Sequence, residues 1–499
     1  MLLAAVLAAC TQLPERSAAA PDYAAAPAEH GALARYAAAV DERLPSGETA
    51  HWLLDRNELA LTARLALTER AEATLDIQYF IWEEDASGHF LAERLLAAAD
   101  RGVKVRVLLD DFDFGRNEDL IARLDVHPGI EVRLFNPWAR GGVAGKVWEF
   151  VTRWGTLTHR MHNKTYIADN RFAIVGGRNI GDRYFGIYDR FVQNDLDVMV
   201  AGPLVQDVAA SFDVFWNADL TYRVSDLERL GPPEPLPVLR ERIARRVAAR
   251  EHALVAFRAA IEDADRYLGG LADTFAAGPA ELYLDTAEIR ERVPDQLYRR
   301  FIELIGTAER EVLISSPYFV PDREFVELIG RLTDRGVRVA LITNSLATNN
   351  HVVAHSGYKQ RRRRALAAGL ELYELKPDAT SLELYVADAA EAGFLGLHTK
   401  AVVIDRQTSF IGSPNVDPRS MILNTEIAVV TESELLAARL ADLIERDMRP
   451  DNAWRVTMDE EGWLRWSAGD EVLRRQPAQG FKQRVIEFLL NLLPLKKQV

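Results

Sequence analysis

Apolar positions along the chain fall into short alternating runs interrupted by longer runs of helical period. Leu75 to Trp82 alternates apolar and polar residues and predicts a strand. Phe90 to Arg101 carries its apolar residues at helical spacing, and Val103 to Leu109 predicts a second strand. The same order returns later as Val312 to Ser316, Phe325 to Arg335 and Val337 to Thr343. Gly102 and Gly336 follow the two helices at the position where glycine relieves the left-handed turn of a helix end. Strand, helix and strand at this spacing predict mixed α/β units with a largely parallel sheet.

The repetition extends to chemistry. Met161-His162-Asn163-Lys164, with Asp169 beyond it, returns as Leu397-His398-Thr399-Lys400 with Asp405. Gly176-Gly177 and Asn179 follow the first motif, and Gly412-Ser413 and Asn415 follow the second at the same distance. A duplicated unit with small loop insertions explains all of these matches at once. The predicted organisation is a unit over residues 46–224, a helical linker over 225–285, a second unit over 286–450 and a tail over 451–499.

On a strand, positions i and i+2 face the same side, so the histidine and lysine of each motif project together. The aspartate lies an odd number of positions further on and faces away. By its place in the pattern it ends the strand and fixes the turns Asp169-Asn170 and Asp405-Arg406. A neutral imidazole is a nucleophile and an imidazolium is an acid. Two of them across a phosphate can attack it and protonate its leaving group, with a covalent phosphohistidine between two displacements. The lysines supply charge to non-bridging oxygens, Asn179 and Asn415 supply neutral donors, and backbone N–H groups at Gly177 and Ser413 can approach closely. A carboxylate should orient each imidazole. Glu426 is the candidate in the second unit. Asp195 is favoured over Asp197 in the first.

Composition narrows the class. The 499 residues are 48% hydrophobic and 27% charged, an ordinary globular mixture. No run reaches the apolar length of a membrane-spanning helix. With 60 basic and 74 acidic residues the net charge is −14, which argues against a duplex-binding protein, and no nucleic-acid partner is expected. One cysteine excludes a disulfide framework and a thiolate metal cage.

That cysteine is Cys10. It closes an apolar stretch ending Leu7-Ala8-Ala9-Cys10, which resembles a bacterial lipobox, although the basic leader of an ordinary signal peptide is missing. The alternative is an apolar N-terminus with a buried cysteine. Residues 1–10 are therefore read as a lipoprotein-like signal and 11–45, rich in Ala, Pro and Ser, as a flexible tether. The segment Phe481 to Val499 has an apolar face flanked by Lys482, Arg484, Lys496 and Lys497 and suits either a membrane interface or a docked terminal helix. Trp138 to Trp154 mixes aromatic and basic residues just before His162. Weaker candidates are Asp110, Asp111 and Asp113, which could hold Mg²⁺ but read more plainly as a solvated or hydrogen-bonding loop, the run Arg361 to Arg364, which could meet anionic lipid but reads more plainly as a solvated face, and His355, Gly357 and Tyr358, which could line the acceptor site.

The paired motifs resemble those of the phospholipase D superfamily, whose two HKD motifs meet at one active site. The resemblance spans about Glu48 to Pro450. It implies an α/β fold of two pseudo-twofold-related phospholipase D-like αβα sandwich units sharing one site. It also implies phosphodiester transfer without metal or cofactor, with His162 as nucleophile and His398 as acid. The superfamily pattern counts Asp169 and Asp405 with His162, Lys164, His398 and Lys400. Leu75 to Trp82, Gly176 to Asp182 with Tyr184-Phe185, and Asn415 to Ser420 with Asn424-Thr425-Glu426 resemble the bacterial cardiolipin synthases of the C type. This implies transfer of a phosphatidyl group to phosphatidylglycerol, with phosphatidylethanolamine as a candidate donor, by an enzyme working at a membrane surface. No partner protein can be named. Lipidation at Cys10 would place it in the bacterial cell envelope facing the periplasm. Hydrolytic phospholipase D and nuclease chemistry use the same site and remain alternatives.

Overall fold

The computed structural model describes residues 13, 16, 20–112, 119–138, 149, 153–187, 191–227, 234–288, 296–349, 352–386, 393–480 and 483–484. Two large sheets repeat one strand order. In the first sheet, Thr74–Tyr79, Lys104–Asp110 and Ile130–Phe135 pair in parallel. Thr165–Ala168, which follows the first motif, joins Thr74–Tyr79 antiparallel and turns straight into Phe172–Gly176. Asp197–Ala201 and Thr49–Leu54 extend the same side. In the second sheet, Glu311–Ser315, Arg338–Asn344 and Glu371–Leu375 form the parallel half. Ala401–Ile404, Thr408–Gly412, Ile427–Glu432 and Ala280–Leu284 form the antiparallel half.

The sheets are therefore mixed, where the strand–helix–strand pattern predicts a largely parallel one. Helical crossovers deliver parallel neighbours, but the tight turns at Asp169-Asn170 and Asp405-Arg406 can only return the chain antiparallel. The crossover helices Ala86–Asp100 and Arg323–Asp334 are alike at both ends. Asp85 and Asp322 cap them by accepting from the N–H of Gly88 and Phe325. Gly102 and Gly336 leave them at φ 95° and 82°.

Each unit has its own core, built in the first around Leu75, Ile77, Phe90 and Val107 and in the second around Val312, Ile314, Phe325 and Val339. A third core is shared. Ile167, Val175, Val198 and Phe212 of the first unit pack with Leu313, Val403, Ile411 and Leu440 of the second. The two inner sheet faces thus bury each other, which sets one motif opposite the other.

Two segments depart from the expected organisation. Residues 20–45, expected as a tether, are fixed to the first unit. Asp22 pairs with Lys104 at 2.7 Å, the N–H of Ala24 donates to Asp213, and helix Ala32–Asp41 buries Leu33, Ala37 and Val40. The apolar spacing of that helix is hidden in sequence by the run of alanines around it. The tail over 451–499 is in part sheet, since Ala453–Met458, Leu464–Ala468 and Glu471–Leu473 add three strands to the second sheet. Between the units, Leu236–Ala248 packs on Ala86–Asp100, and Glu251–Glu262 packs on Asn57–Arg70. The chain then contributes Ala276–Gly278 to the edge of the first sheet and, after Pro279, Ala280–Leu284 to the second. Among the described residues no helix is long and apolar enough to cross a membrane. Cys10, Asp113 and the apolar stretch from Val485 lie outside the described residues.

Candidate active site

Each motif begins where its unit reaches across to the other. Arg160–Met161 pairs in parallel with Asn424–Thr425, and the N–H of His162 donates to the carbonyl of Thr425. Reciprocally, Phe394–Leu397 pairs with Phe191–Asn194, and the N–H groups of His398 and Thr399 donate to the carbonyl of Asn194. These two short ribbons exchange backbone bonds between the units and fix both histidines.

The carboxylates are exchanged as well. Nδ1 of His162 donates to Oε2 of Glu426 at 2.8 Å, and Nδ1 of His398 donates to Oδ2 of Asp195 at 2.5 Å. Each imidazole is held by an acid from the other unit, and the Nε2 edge is left as the reactive one. Asp197, the alternative to Asp195, is consumed by Arg64 and Arg178 in a buried cluster. Ser413 hydroxyl donates to Glu426, which fixes the second carboxylate. Gly177 occupies the equivalent place beside Asp195, where a Cβ would stand 2.4 Å from Oδ1. A serine there would collide with the shorter acid.

Lys164 and Lys400 are buried, and each ammonium donates to the carbonyl of its own motif histidine. Burial pushes Lys164 down to about 7 and Lys400 down to about 8, with Glu426 and Asp195 respectively opposing the shift. Burial likewise pushes His162 down to about 4, against the pull of Glu426. It lowers His398 to about 3, helped by Lys400 and opposed by Asp195. Both acids are buried, which works to raise them, yet both end below the usual range. His162 and His398 respectively are the largest opposing causes. Two neutral imidazoles, two lysines and two carboxylates together give a site with little net charge. An anionic phosphodiester entering between the lysines would favour one protonated imidazole, as acid catalysis requires.

Aromatic rings wall the imidazoles. Phe80 stands edge-on to His162 at 5.0 Å and Tyr184 edge-on to His398 at 5.3 Å. Asn179 is buried, with its amide accepting from the N–H of Ile81 and donating to the Tyr184 hydroxyl. Asn415 is half-buried, its N–H donates to Ser420, and its amide oxygen has no partner among the described residues.

Asp169 and Asp405 are not brought to the histidines. Each sits at the far end of its motif strand at φ 50° and 54°. The Asp169 carboxylate accepts from the N–H groups of Glu72, Ala73 and Thr74, and that of Asp405 from Glu309, Arg310 and Glu311. They close the turn that starts the neighbouring strand, so counting them as catalytic is corrected by the geometry. The strand parity already placed them on the other face.

Sequence reasoning picked out Asp110 but missed its match with Asn344 and what the two hold. Asp110 ends one parallel strand and accepts the N–H of Met161 at 2.8 Å, and Asn344 ends its counterpart and accepts the N–H of Leu397 at 2.9 Å. Both therefore hold the residue before a motif histidine. Extending the repeat from Val103–Leu109 by one position would have revealed them. Asp111 accepts the N–H of Trp138, so Asp110 and Asp111 both serve backbone bonds. Arg361, Arg362 and Arg363 bind Pro321, Glu374 and Gly462 within the unit. His355 is buried edge-on to Tyr358, whose hydroxyl donates to Glu374.

Comparison with known proteins agrees with this arrangement. Residues 65–216 and 301–448 match the family described as cardiolipin synthase, PLD-like domain. The chain is 38% identical over 462 residues to cardiolipin synthase C of Escherichia coli (strain K12), covering 90% of this chain and 96% of that protein. It is 28% identical over 418 residues to cardiolipin synthase A of Pseudomonas entomophila (strain L48), covering 82% and 70%. Among solved structures, the fold is similar to phosphatidylserine synthase of Haemophilus influenzae Rd KW20. The TM-score is 0.54 at 13% identity, over 83% of this chain and 91% of that one.

Proposed function

Because the chain belongs to the cardiolipin synthase-like family of the phospholipase D superfamily, and so is a phosphatidyltransferase of that type, we propose that it joins two phospholipids into cardiolipin, with phosphatidylglycerol as acceptor. The observation that carries the reading is the crossed pairing of His162 with Glu426 and His398 with Asp195, which leaves two Nε2 edges for one phosphate.

In the proposed cycle, Nε2 of His162 attacks the donor phosphorus. The phosphorus–oxygen bond to the headgroup breaks, and the departing oxygen takes the proton from Nε2 of His398. A hydroxyl of phosphatidylglycerol then gives its proton back to His398 and attacks the phosphorus, and the phosphorus–nitrogen bond breaks to restore neutral His162. Lys164 and Lys400 neutralise the non-bridging oxygens, whose charge grows in each transition state. The carboxylates stabilise the tautomer that keeps Nε2 free, and share the imidazolium charge when it forms. Phosphatidylethanolamine serves as donor in this reading. The enzyme acts at a membrane surface on the periplasmic side of a bacterial envelope, anchored through a lipid on Cys10.

The test is incubation of the protein in mixed micelles with phosphatidylglycerol, with and without phosphatidylethanolamine, beside His162→Ala. Cardiolipin from the wild type and none from the variant is the expected result. Dependence on phosphatidylethanolamine identifies the donor. Phosphatidic acid as the only product would replace the synthase reading with a hydrolase.

A further inference from the structure

The duplication makes Arg419 conspicuous. Trp82 bridges Ile180 in the first unit as Phe319 bridges Val416 in the second. The N–H of Glu83 donates to Ile180 and that of Val320 donates to Val416, so Glu83 and Val320 are equivalent positions. Arg183 and Arg419 each lie three residues beyond the bridged residue. In the first unit, Arg183 is paired with Glu83. In the second unit, valine stands where the glutamate would be. Among the described residues the Arg419 side chain makes no hydrogen bond and no ion pair, and the carboxylates of Asp417, Asp110 and Glu426 act on it only through space.

Its surroundings are those of a ligand site. The half-buried guanidinium lies over the ring of Phe112 at 5.6 Å, with the Arg160 guanidinium over the same ring at 5.9 Å. Phe112 stacks on Phe80 at 5.2 Å, and Phe80 touches His162, so Arg419 is connected to the reacting centre through two rings. Phe112, and Ile422 three residues on in the short helix Arg419–Leu423, are large apolar side chains left exposed, at 48% and 53%. Arg160 is taken up by Asp110 and the carbonyl of Asn136, which leaves Arg419 as the cation of the pair with no hydrogen-bonded side-chain partner among the described residues. A half-buried cation next to exposed apolar surface fits an anion that carries acyl chains.

We propose that Arg419 binds the phosphodiester of the acceptor phospholipid. This rests on the synthase reading above. The donor brings one phosphate, and it occupies the space between the two histidines. A second phosphate enters only with the lipid that supplies the hydroxyl. Arg419 thus makes the enzyme choose a phosphatidyl alcohol over a neutral one.

The experiment compares two acceptors with the same terminal diol, phosphatidylglycerol and 1-monoacylglycerol, with phosphatidylethanolamine as donor in the same micelles. Wild type, Arg419→Gln and Arg419→Lys are assayed. Arg419→Gln is expected to lower kcat/KM for phosphatidylglycerol relative to monoacylglycerol by about tenfold or more, the scale of a lost charge-assisted hydrogen bond, mainly through KM. Arg419→Lys is expected to recover part of that preference. An equal loss on both acceptors, or an unchanged ratio, overturns the proposal. Absence of cardiolipin from the wild type is a different result and removes the synthase reading itself.

Discussion

Glu426 holds His162 from 264 residues further along the chain, at 2.8 Å. Asp195 returns the arrangement by holding His398 across the same interface. Neither unit therefore contains a complete histidine–carboxylate pair. Glu426→Gln keeps the shape but loses the charge and the tautomer preference. It should lower kcat by about 10³- to 10⁴-fold, as for other catalytic histidines stripped of their acid. Asp195→Asn should do the same from the other side. The measurement is steady-state lipid transfer, with KM little changed in both variants.

Gly177→Ala tests the close approach beside Asp195. The added Cβ would stand 2.4 Å from Oδ1, so the carboxylate must move and take His398 with it. The backbone φ of Gly177 is not in the left-handed region, so the protein should still fold. We expect a drop in kcat of about 10²-fold, the cost of a misplacement of about 1 Å. Circular dichroism should remain that of the wild type. Ser413 holds the equivalent place with a hydroxyl, so Ser413→Gly should cost less.

Asp169→Ala should behave as a stability variant. Three backbone N–H groups lose their acceptor at a buried turn, which should cost about 2–3 kcal/mol. The folded fraction should retain its kcat. Denaturant unfolding together with an assay normalised to folded protein separates the two effects. A catalytic role for the carboxylate would instead abolish kcat at unchanged stability.

His51 supplies a pH signature away from the active site. Its ring is buried on the strand Thr49–Leu54 with Nδ1 on the carbonyl of Ala276, and burial pushes it down to about 4. Below its ordinary pKa of about 6.5, the unfolded chain binds a proton that the native state refuses. Stability therefore falls as pH falls from about 6.5 towards 4, by up to about 1.4 kcal/mol per pH unit from this residue. His51→Asn should flatten that part of the profile in urea unfolding at a series of pH values. His162 and His398 add to the same slope through the same cause.

The duplication was legible because it is written twice. Two imperfect copies of strand, glycine and histidine motif left little room for another architecture, and parity alone separated Lys164 from Asp169. What the sequence concealed depends on contacts between distant residues. That Glu426 serves His162 rather than its own unit's histidine follows from two parallel ribbons, Arg160–Met161 with Asn424–Thr425 and Phe394–Leu397 with Phe191–Asn194. Pairings of two and four residues leave no periodicity. The order of residues 20–45 was hidden for a related reason. Asp22 and Ala24 are fixed by Lys104 and Asp213, far along the chain, while the local composition reads as a spacer.

The clamp on the residue before each histidine is common to the two halves. Asp110 and Asn344 grip Met161 and Leu397 through the same bond, yet one side chain can ionise and the other cannot. The two copies differ in charge at this place and agree in the acceptor. What the two halves share here is a shape of hydrogen bonding, and charge is one of the variables in which they differ. The site thus has two unlike sides, which suits the transfer between two unlike lipids proposed above.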